Sequence, residues 1–503
     1  MPTECITNPL QRELADSIIR MVPLDEIRIL LACGAKVNEP VTQGLRPLHY
    51  AIWQRYVEAT QLLLVRGCDI NAIDECGYSA LHLATEHGYV ELVELLLKSG
   101  AKVDYRPNTD ELYPRTTLCD EPLRLAIRNK NLQIARMLLE YGADPNKRYF
   151  FGSEINLVND IEFLELLLTF GANPDTRDRA GLTPLMKAAR QSQFTNGNSK
   201  AQQVWTRIFN AQQTDSISST LLSDTNCTEP YGMEAVLLLI SHGADVNAMT
   251  DARHDYRTVL HYAVLSGNKD IVNLLIKQGA RLNYDSDEYG KPSPLDLAIL
   301  KGDLDLIRLL IGAGADVNFS SPVIGTPLHV ACSDNISNRL EILQLLLKSG
   351  ADPNLKVYND IYDHNTQLRP VLVEYLASNE TPLFSVVNLL LRYGARVVMK
   401  TQFRDPDGCL NCLQNVTKPN TEKVFYALVD ASESFDVCMI RRNNIITPEQ
   451  KSFLMEVAAY PLSLAHQIRL FLRRQLKDKL PDLVSELPLP LCLRKYLIYE
   501  YNI

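Results

Sequence analysis

The 503-residue sequence predicts an all-α solenoid of about 10 to 11 stacked helix pairs, several carrying insertions, followed by a small helical module. Three observations predict it. The first is a phrase that keeps returning. Gly34-Ala-Lys-Val-Asn38 comes back as Gly67-Cys-Asp-Ile-Asn71, Gly100-Ala-Lys-Val-Asp104, Gly142-Ala-Asp-Pro-Asn146, Gly171-Ala-Asn-Pro-Asp175 and Gly243-Ala-Asp-Val-Asn247. It continues at Gly279, Gly314 and Gly350, with a worn copy at Gly394-Ala-Arg-Val-Val398. The second is that each interval holds two short segments of helical periodicity. The third is that the phrase stops near residue 400, and the residues after 460 follow a different pattern. These observations divide the chain into a solenoid over 12–400, a degenerate terminal repeat and connector over 401–460, and a C-terminal module over 461–503.

Residues 77–104 show why the unit needs neighbours. Ser79 is placed to cap a short helix that turns Leu81, Leu83 and Ala84 inward. His87-Gly88 ends it. Val90, Leu92, Val93, Leu95, Leu96 and Leu97 form a second helix, apolar around most of its circumference, and Gly100 supplies a left-handed C-cap. Such a pair cannot bury its apolar faces alone and requires a copy on each side.

Residues 14–38 read as a truncated first repeat. The copies at 44–71 and 77–104 are regular. An insertion, roughly 105–120, precedes the repeat at 121–146, and the copy at 152–175 has a short first helix. The next begins at Thr183-Pro184-Leu185, but its second helix waits until Ala235-Val236-Leu237. The polar stretch between them, 191–230, carries Val204, Trp205, Ile208 and Phe209 at helical spacing. It reads either as a recognition element or as a segment that packs back or stays unfolded. Regular copies follow at 257–283, 290–318 and 325–354, then a degenerate one at about 366–397. The sequence GCLNCLQNV with EKVFYALVDA reads as one last divergent pair.

Composition narrows the function. Net charge is −9, which argues against non-specific nucleic-acid binding. The eleven cysteines are scattered, and the start of the chain lacks a basic-then-apolar signal pattern. No window is apolar enough to span a membrane. The expected compartment is the cytosol, with the nucleus as the alternative. Cys409 and Cys412 have half the spacing of a zinc site, but no second pair accompanies them, so no metal or other cofactor is expected. There is no Gly-rich phosphate loop, no His-Glu-x-x-His and no Gly-x-Ser-x-Gly, so no catalytic residue is assigned. His49, His82, His261 and His329 recur at one register position. A residue repeated in this way is structural, and a hydrogen bond between adjacent repeats is its expected role.

The C-terminal module is built on SLAHQIRLFLRRQLKDKL, between Pro461 and Pro481. Leu464, Ile468, Leu472 and Leu476 recur every fourth residue as one stripe. Leu487-Pro488-Leu489-Pro490 then fixes an extended turn, and Leu491, Leu493, Tyr496, Leu497 and Tyr499 form a last amphipathic segment. A piece this small cannot bury its own core, so it either docks on the solenoid or offers its stripe to a partner.

Two resemblances follow from these motifs. Thr326-Pro327-Leu328-His329-Val330-Ala331 is the full T-P-L-H-x-A pattern of the ankyrin repeat, with close variants at Pro47–Ala51, Ala80–Ala84 and Val259–Ala263. The C-terminal module resembles a SOCS box. Its first half is similar to the elongin-binding pattern S-L-x-x-L-C-R-x-x-I-R, with Gln467-Ile468 in place of Leu-Cys. Its second half, Leu487, Pro488, Leu489, Pro490, Leu493, Tyr496 and Leu497, satisfies the cullin-box pattern in the form associated with Cullin-5. The chain thus resembles the ankyrin-repeat and SOCS-box family over nearly its whole length. The resemblance implies a non-catalytic substrate-recognition subunit of a Cullin-5 RING ubiquitin ligase. Leu464, Ile468 and Leu472 would meet Elongin C, itself paired with Elongin B. The cullin-box residues would meet Cullin-5 with its RING subunit, and the repeats would hold an unidentified target protein, the inserts being the first places to look. The competing reading is a scaffold whose last helices only cap the solenoid. Asn247 and Asn318, in Leu-x-x-x-x-x-Asp-Val-Asn turns, are similar to targets of the asparaginyl hydroxylase that acts on hypoxia-inducible factor. The plainer reading is that Asn tolerates the turn.

Overall fold

The returning phrase does two jobs in the structure, a computed structural model that describes residues 9–105, 120–149, 151–191, 231–251, 253, 255–283, 291–321, 324–333, 336–356, 369–405, 407–416, 421–476 and 480–500. Its glycine ends the second helix of each pair in the left-handed region, as at Gly100 (φ 88°), where any side chain would be strained. Its final Asn reaches across to the next repeat. Asn318 donates its Nδ2 to the Gly350 carbonyl (3.0 Å) and accepts the Asp352 N–H on Oδ1 (2.8 Å). Asn38, Asn146, Asn283 and Asn354 make the same pair of bonds to their following repeats. Asn therefore does more than tolerate the turn. Its amide is a two-sided connector that satisfies one backbone donor and one backbone acceptor at once.

The described residues divide into two units, one over 9–191 with 231–248 and one over 249–500. In the first, helix pairs run from Pro9–Ile19 and Leu24–Ala32 through Pro47–Trp53/Val57–Val65, Ala80–Glu86/Val90–Lys98 and Pro122–Arg128/Leu132–Glu140. The pairs Glu154–Leu157/Ile161–Thr169 and Pro184–Gln191/Tyr231–Ser241 complete it. In the second, Val259–Ser266/Lys269–Lys277, Pro294–Lys301/Leu304–Gly312, Pro327–Cys332/Arg339–Lys348 and Val371–Ser378/Phe384–Arg392 follow one another. Within each unit, first helices pack on first helices of the next pair, so their leucines and alanines are fully enclosed, as at Leu81, Ala84, Leu295 and Ala298.

The recurring histidines cap and connect. His261 Nδ1 accepts the Thr258 N–H (3.1 Å), while its Nε2 donates to the Pro292 carbonyl of the next repeat (3.1 Å). His49 and His329 repeat the arrangement on Tyr78 and Arg369. The N-cap bond fixes the tautomer, and burial pushes the His261 pKa down to about 4. At 290–318 the capping half of this job falls to Asp296, which accepts from both Ser293 N–H and Ser293 Oγ (2.8 Å each).

The divergent pair is a 3-10 turn, Leu410–Val416, followed by the helix Glu422–Asp430. One further pair, Val437–Arg442 and Pro448–Ala458, carries the helical order up to the C-terminal module. Where the worn phrase replaces Asn by Val, the β-branched Val397-Val398 extends instead, and Val397–Met399 pairs in parallel with Ser432–Phe435. Both inserts, 106–119 and 192–230, lie outside the described residues, and with them Val204, Trp205, Ile208 and Phe209. Among the described residues, no helix is long and apolar enough to cross a membrane.

Candidate partner-docking site

The helix Leu464–Leu476 starts after Pro461, with Ser463 Oγ accepting the His466 N–H (3.2 Å). At 100° per residue its side chains fall on two opposed faces. One carries His466, Arg469, Leu470 and Arg473, and it is buried. The other carries Leu464, Ile468 and Phe471, exposed by 72%, 48% and 60%. The helix is inside-out: imidazole and guanidinium groups face the protein, and large apolar groups face water.

The terminal repeat makes this orientation tolerable by satisfying the buried charges. Arg469 is 1% exposed. Its Nη1 and Nη2 donate to the two carboxylate oxygens of Asp430 (3.1 and 3.0 Å), and Nη2 also reaches the Asp430 carbonyl (2.6 Å). The guanidinium lies 4.2 Å from the ring centres of both Tyr496 and Tyr499, a geometry suited to a planar, weakly hydrated cation. His466 accepts from Arg469 on Nδ1 (2.9 Å) and donates from Nε2 to the Ser432 carbonyl (3.1 Å). Burial, followed by the neighbouring Arg469, holds its pKa below the ordinary histidine value. Arg473 bridges the Leu497 carbonyl (2.7 Å) and the Leu391 carbonyl. Arg474 and Arg396 meet on Glu433 (2.6 and 2.9 Å). Burial opposes ionisation of Glu433, but these hydrogen bonds outweigh it and hold its pKa below the usual carboxylate range.

The module also has a small core of its own. Leu480, Val484, Leu497 and Ile498 are buried together, with Leu472, Leu476, Leu487 and Leu489 packed against them. The structure thus separates residues that the motifs list side by side. Leu464 and Ile468 stand in water, whereas Leu472 turns toward this core. Of the cullin-box set, Leu487, Leu489 and Leu497 build the core, and Tyr496 lies half-buried on Arg469. Pro488, Pro490 and Leu493 remain exposed beside Leu491. The motif reading missed Phe471, although its position seven residues after Leu464 marks it as a member of the stripe. It also missed Asp430 and Ser432, whose contacts with the module no local spacing announces.

The other candidates resolve differently. Cys409 and Cys412 are core residues. Burial pushes their thiols to about 12 and about 11, so they are neutral rather than ligand-like thiolates. Among the described residues, no group of three His, Cys, Asp or Glu side chains could hold a metal ion. Asn318 is committed to the inter-repeat connection, and Asn247 accepts its place in the turn through its N–H to Asp245 Oδ1 (2.8 Å).

Comparison with known proteins agrees with this architecture. The ankyrin-repeats family model matches residues 23–107, 63–149 and 227–321, and a single ankyrin-repeat model matches 325–357. The SOCS-box model matches residues 460–498. An ankyrin repeat protein of fowlpox virus is 30% identical over 287 residues, covering 54% of this chain and 53% of its own. The mouse cyclin-dependent kinase 4 inhibitor B is 38% identical over 76 residues, covering 14% of this chain and 58% of its own. An ankyrin repeat and KH domain-containing protein of Caenorhabditis elegans is 28% identical over 267 residues, 52% of this chain but 7% of its own. The chain spans about half the length of the fowlpox protein and a small part of the nematode one. Ankyrin repeats and SOCS boxes are interaction modules without catalytic groups, and a SOCS box implies binding to Elongin B/C and a cullin in general. With repeats along most of its length and a SOCS box after them, the chain belongs to the ankyrin-repeat and SOCS-box family.

Proposed function

We propose that this chain is the substrate-recognition subunit of an Elongin B/C–Cullin-5 ubiquitin ligase, holding a target on its ankyrin repeats. The observation that supports the reading most is the inside-out helix Leu464–Leu476. A helix serving only as a cap would turn Leu464 and Ile468 inward and its arginines to water. This one keeps its apolar face free although it is already docked on the terminal repeat. Leu464 and Ile468 enter Elongin C, with Leu472 supporting them from the core side. Leu487, Pro488, Leu489, Pro490, Leu493, Tyr496 and Leu497 shape the surface offered to Cullin-5, the exposed prolines and Leu493 touching it and the others fixing its form. The chain contributes geometry: a tethered target meets the charged ubiquitin carrier at high effective concentration.

The scaffold reading has one observation in its favour, the close fit of the module to the terminal repeat through Arg469 and Asp430. A binding assay with purified Elongin B–Elongin C, run in parallel with Cullin-5 and with Cullin-2, separates the two readings. The intact chain should retain both partners and Leu464→Asp should lose both. Failure of the intact chain to bind would leave the scaffold reading standing, and retention of Cullin-2 in place of Cullin-5 would correct the choice of cullin. Asn247 and Asn318 remain the positions proposed for hydroxylation. Because the Asn318 amide joins two repeats, modification there requires local opening, and mass spectrometry should find it enhanced when Gly350 is replaced by Ala.

A further inference from the structure

We propose that Phe471 is the third anchor of the Elongin C-facing stripe, in the role that the motif assigns to Leu472. The inference rests on the adaptor reading and refines it. Residues 464, 468 and 471 fall within about 60° of one another around the helix, and Gln475 continues the same line. Leu472 is rotated by about 100° from Phe471 and packs against the core of Leu480, Val484, Leu497 and Ile498. A side chain so placed holds the module together and has little surface left for a second protein. Phe471 has the opposite character. It is 60% exposed and contributes to no described core, although a phenyl ring offers the largest apolar area on the helix.

The neighbourhood defines what can cover it. Gln467 and Gln475, one turn before and after Phe471, are exposed and uncharged. Arg469 and Arg473, two residues to either side, are buried on the opposite face, and the exposed Arg474 is committed to Glu433 (2.6 Å). The stripe Leu464–Ile468–Phe471 therefore has an uncharged centre with amide edges. It suits a concave apolar pocket rather than an acidic surface. Gln467 stands where the SOCS-box pattern has a leucine, and Phe471 is its i+4 neighbour on the same side of the helix. The ring restores one turn later the apolar area that glutamine removes.

Calorimetric titration of the full chain with purified Elongin B–Elongin C tests this assignment, with melting curves read alongside. Phe471→Ala should weaken binding about tenfold or more and leave the melting midpoint unchanged, because the ring is exposed. Leu472→Ala should lower the midpoint while the folded protein binds within about threefold of the intact chain. Phe471→Leu should recover most of the affinity. If Leu464→Asp abolishes binding and Phe471→Ala binds like the intact chain, the third anchor is overturned while the adaptor reading survives. If the intact chain does not bind, the adaptor reading fails and the assignment falls with it.

Discussion

Two helices of the same unit, Lys269–Lys277 and Leu464–Leu476, are built from similar residues and face opposite ways. The first buries Ile271, Val272 and Leu275 against neighbouring copies and leaves Lys277 in water. The second buries His466, Arg469 and Arg473 and leaves Leu464, Ile468 and Phe471 in water. The difference lies in the surroundings. A repeat helix has a copy of itself on each side, so hydrophobic burial decides its orientation. The terminal helix meets the carboxylates of Asp430 and Glu433, several backbone carbonyls and two tyrosine rings. Charge-assisted hydrogen bonds and cation–π contacts settle its orientation there. Its apolar face is then left in water.

The sharpest way to break this comparison is to remove the carboxylate. Asp430→Ala strands Arg469 without its counter-charge. It should loosen the module by about 3 kcal/mol, the low end for a broken buried pair because the Asp430 side chain is partly hydrated. Hydrogen exchange should report the loss over 464–497, with the 259–312 repeats unaffected. Equal loss in both regions would mean that the terminal helix is held as the repeats are.

Acid acts on the repeats through His261. Its folded-state pKa of about 4 lies below the unfolded value near 6.5, so the unfolded chain binds the extra proton. Stability is full above pH 6.5 and falls as pH drops toward 4, by about 2 kcal/mol at pH 5. Urea titrations at stepped pH should show this slope, and His261→Gln should flatten it. A smaller effect is expected at the connector. Asn318→Ala removes a donor and an acceptor between repeats and should cost about 1–2 kcal/mol, while Asn318→Asp, which keeps the acceptor, should cost less. The smallest belongs to the stripe. Leu464→Asp should change stability by less than about 0.5 kcal/mol, since Leu464 is exposed. A large loss there would place Leu464 in the module's own core and remove the contrast with Lys269–Lys277.

Much of the solenoid was legible because its interactions are local or repeat at a fixed interval. Gly100 announces a helix end, Ser79 a helix start, and His261 a repeated contact. The first-helix leucines could be assigned inward because each copy supplies the same neighbour. The role of Asn318 was half legible: its place in the turn could be read, whereas its second function needs the next repeat's Gly350 and Asp352 in position. In the module, helical spacing revealed the Leu464–Ile468 stripe. Spacing alone grouped Leu472 with them, because a four-residue interval advances by 40° each time and drifts around the helix toward the core.

The sequence by itself determined the repeat period and polarity, the positions of caps and turns, and the existence of an amphipathic terminal helix. These follow from contacts within one unit or from periodicity. Only the tertiary structure decided which face of that helix is inside. The choice depends on Asp430 and Ser432, more than thirty residues away in the chain, and on tyrosine rings that follow it. An arginine reads as a solvent-facing residue until the fold brings it a carboxylate, and the apolar stripe opposite it is exposed for the same reason.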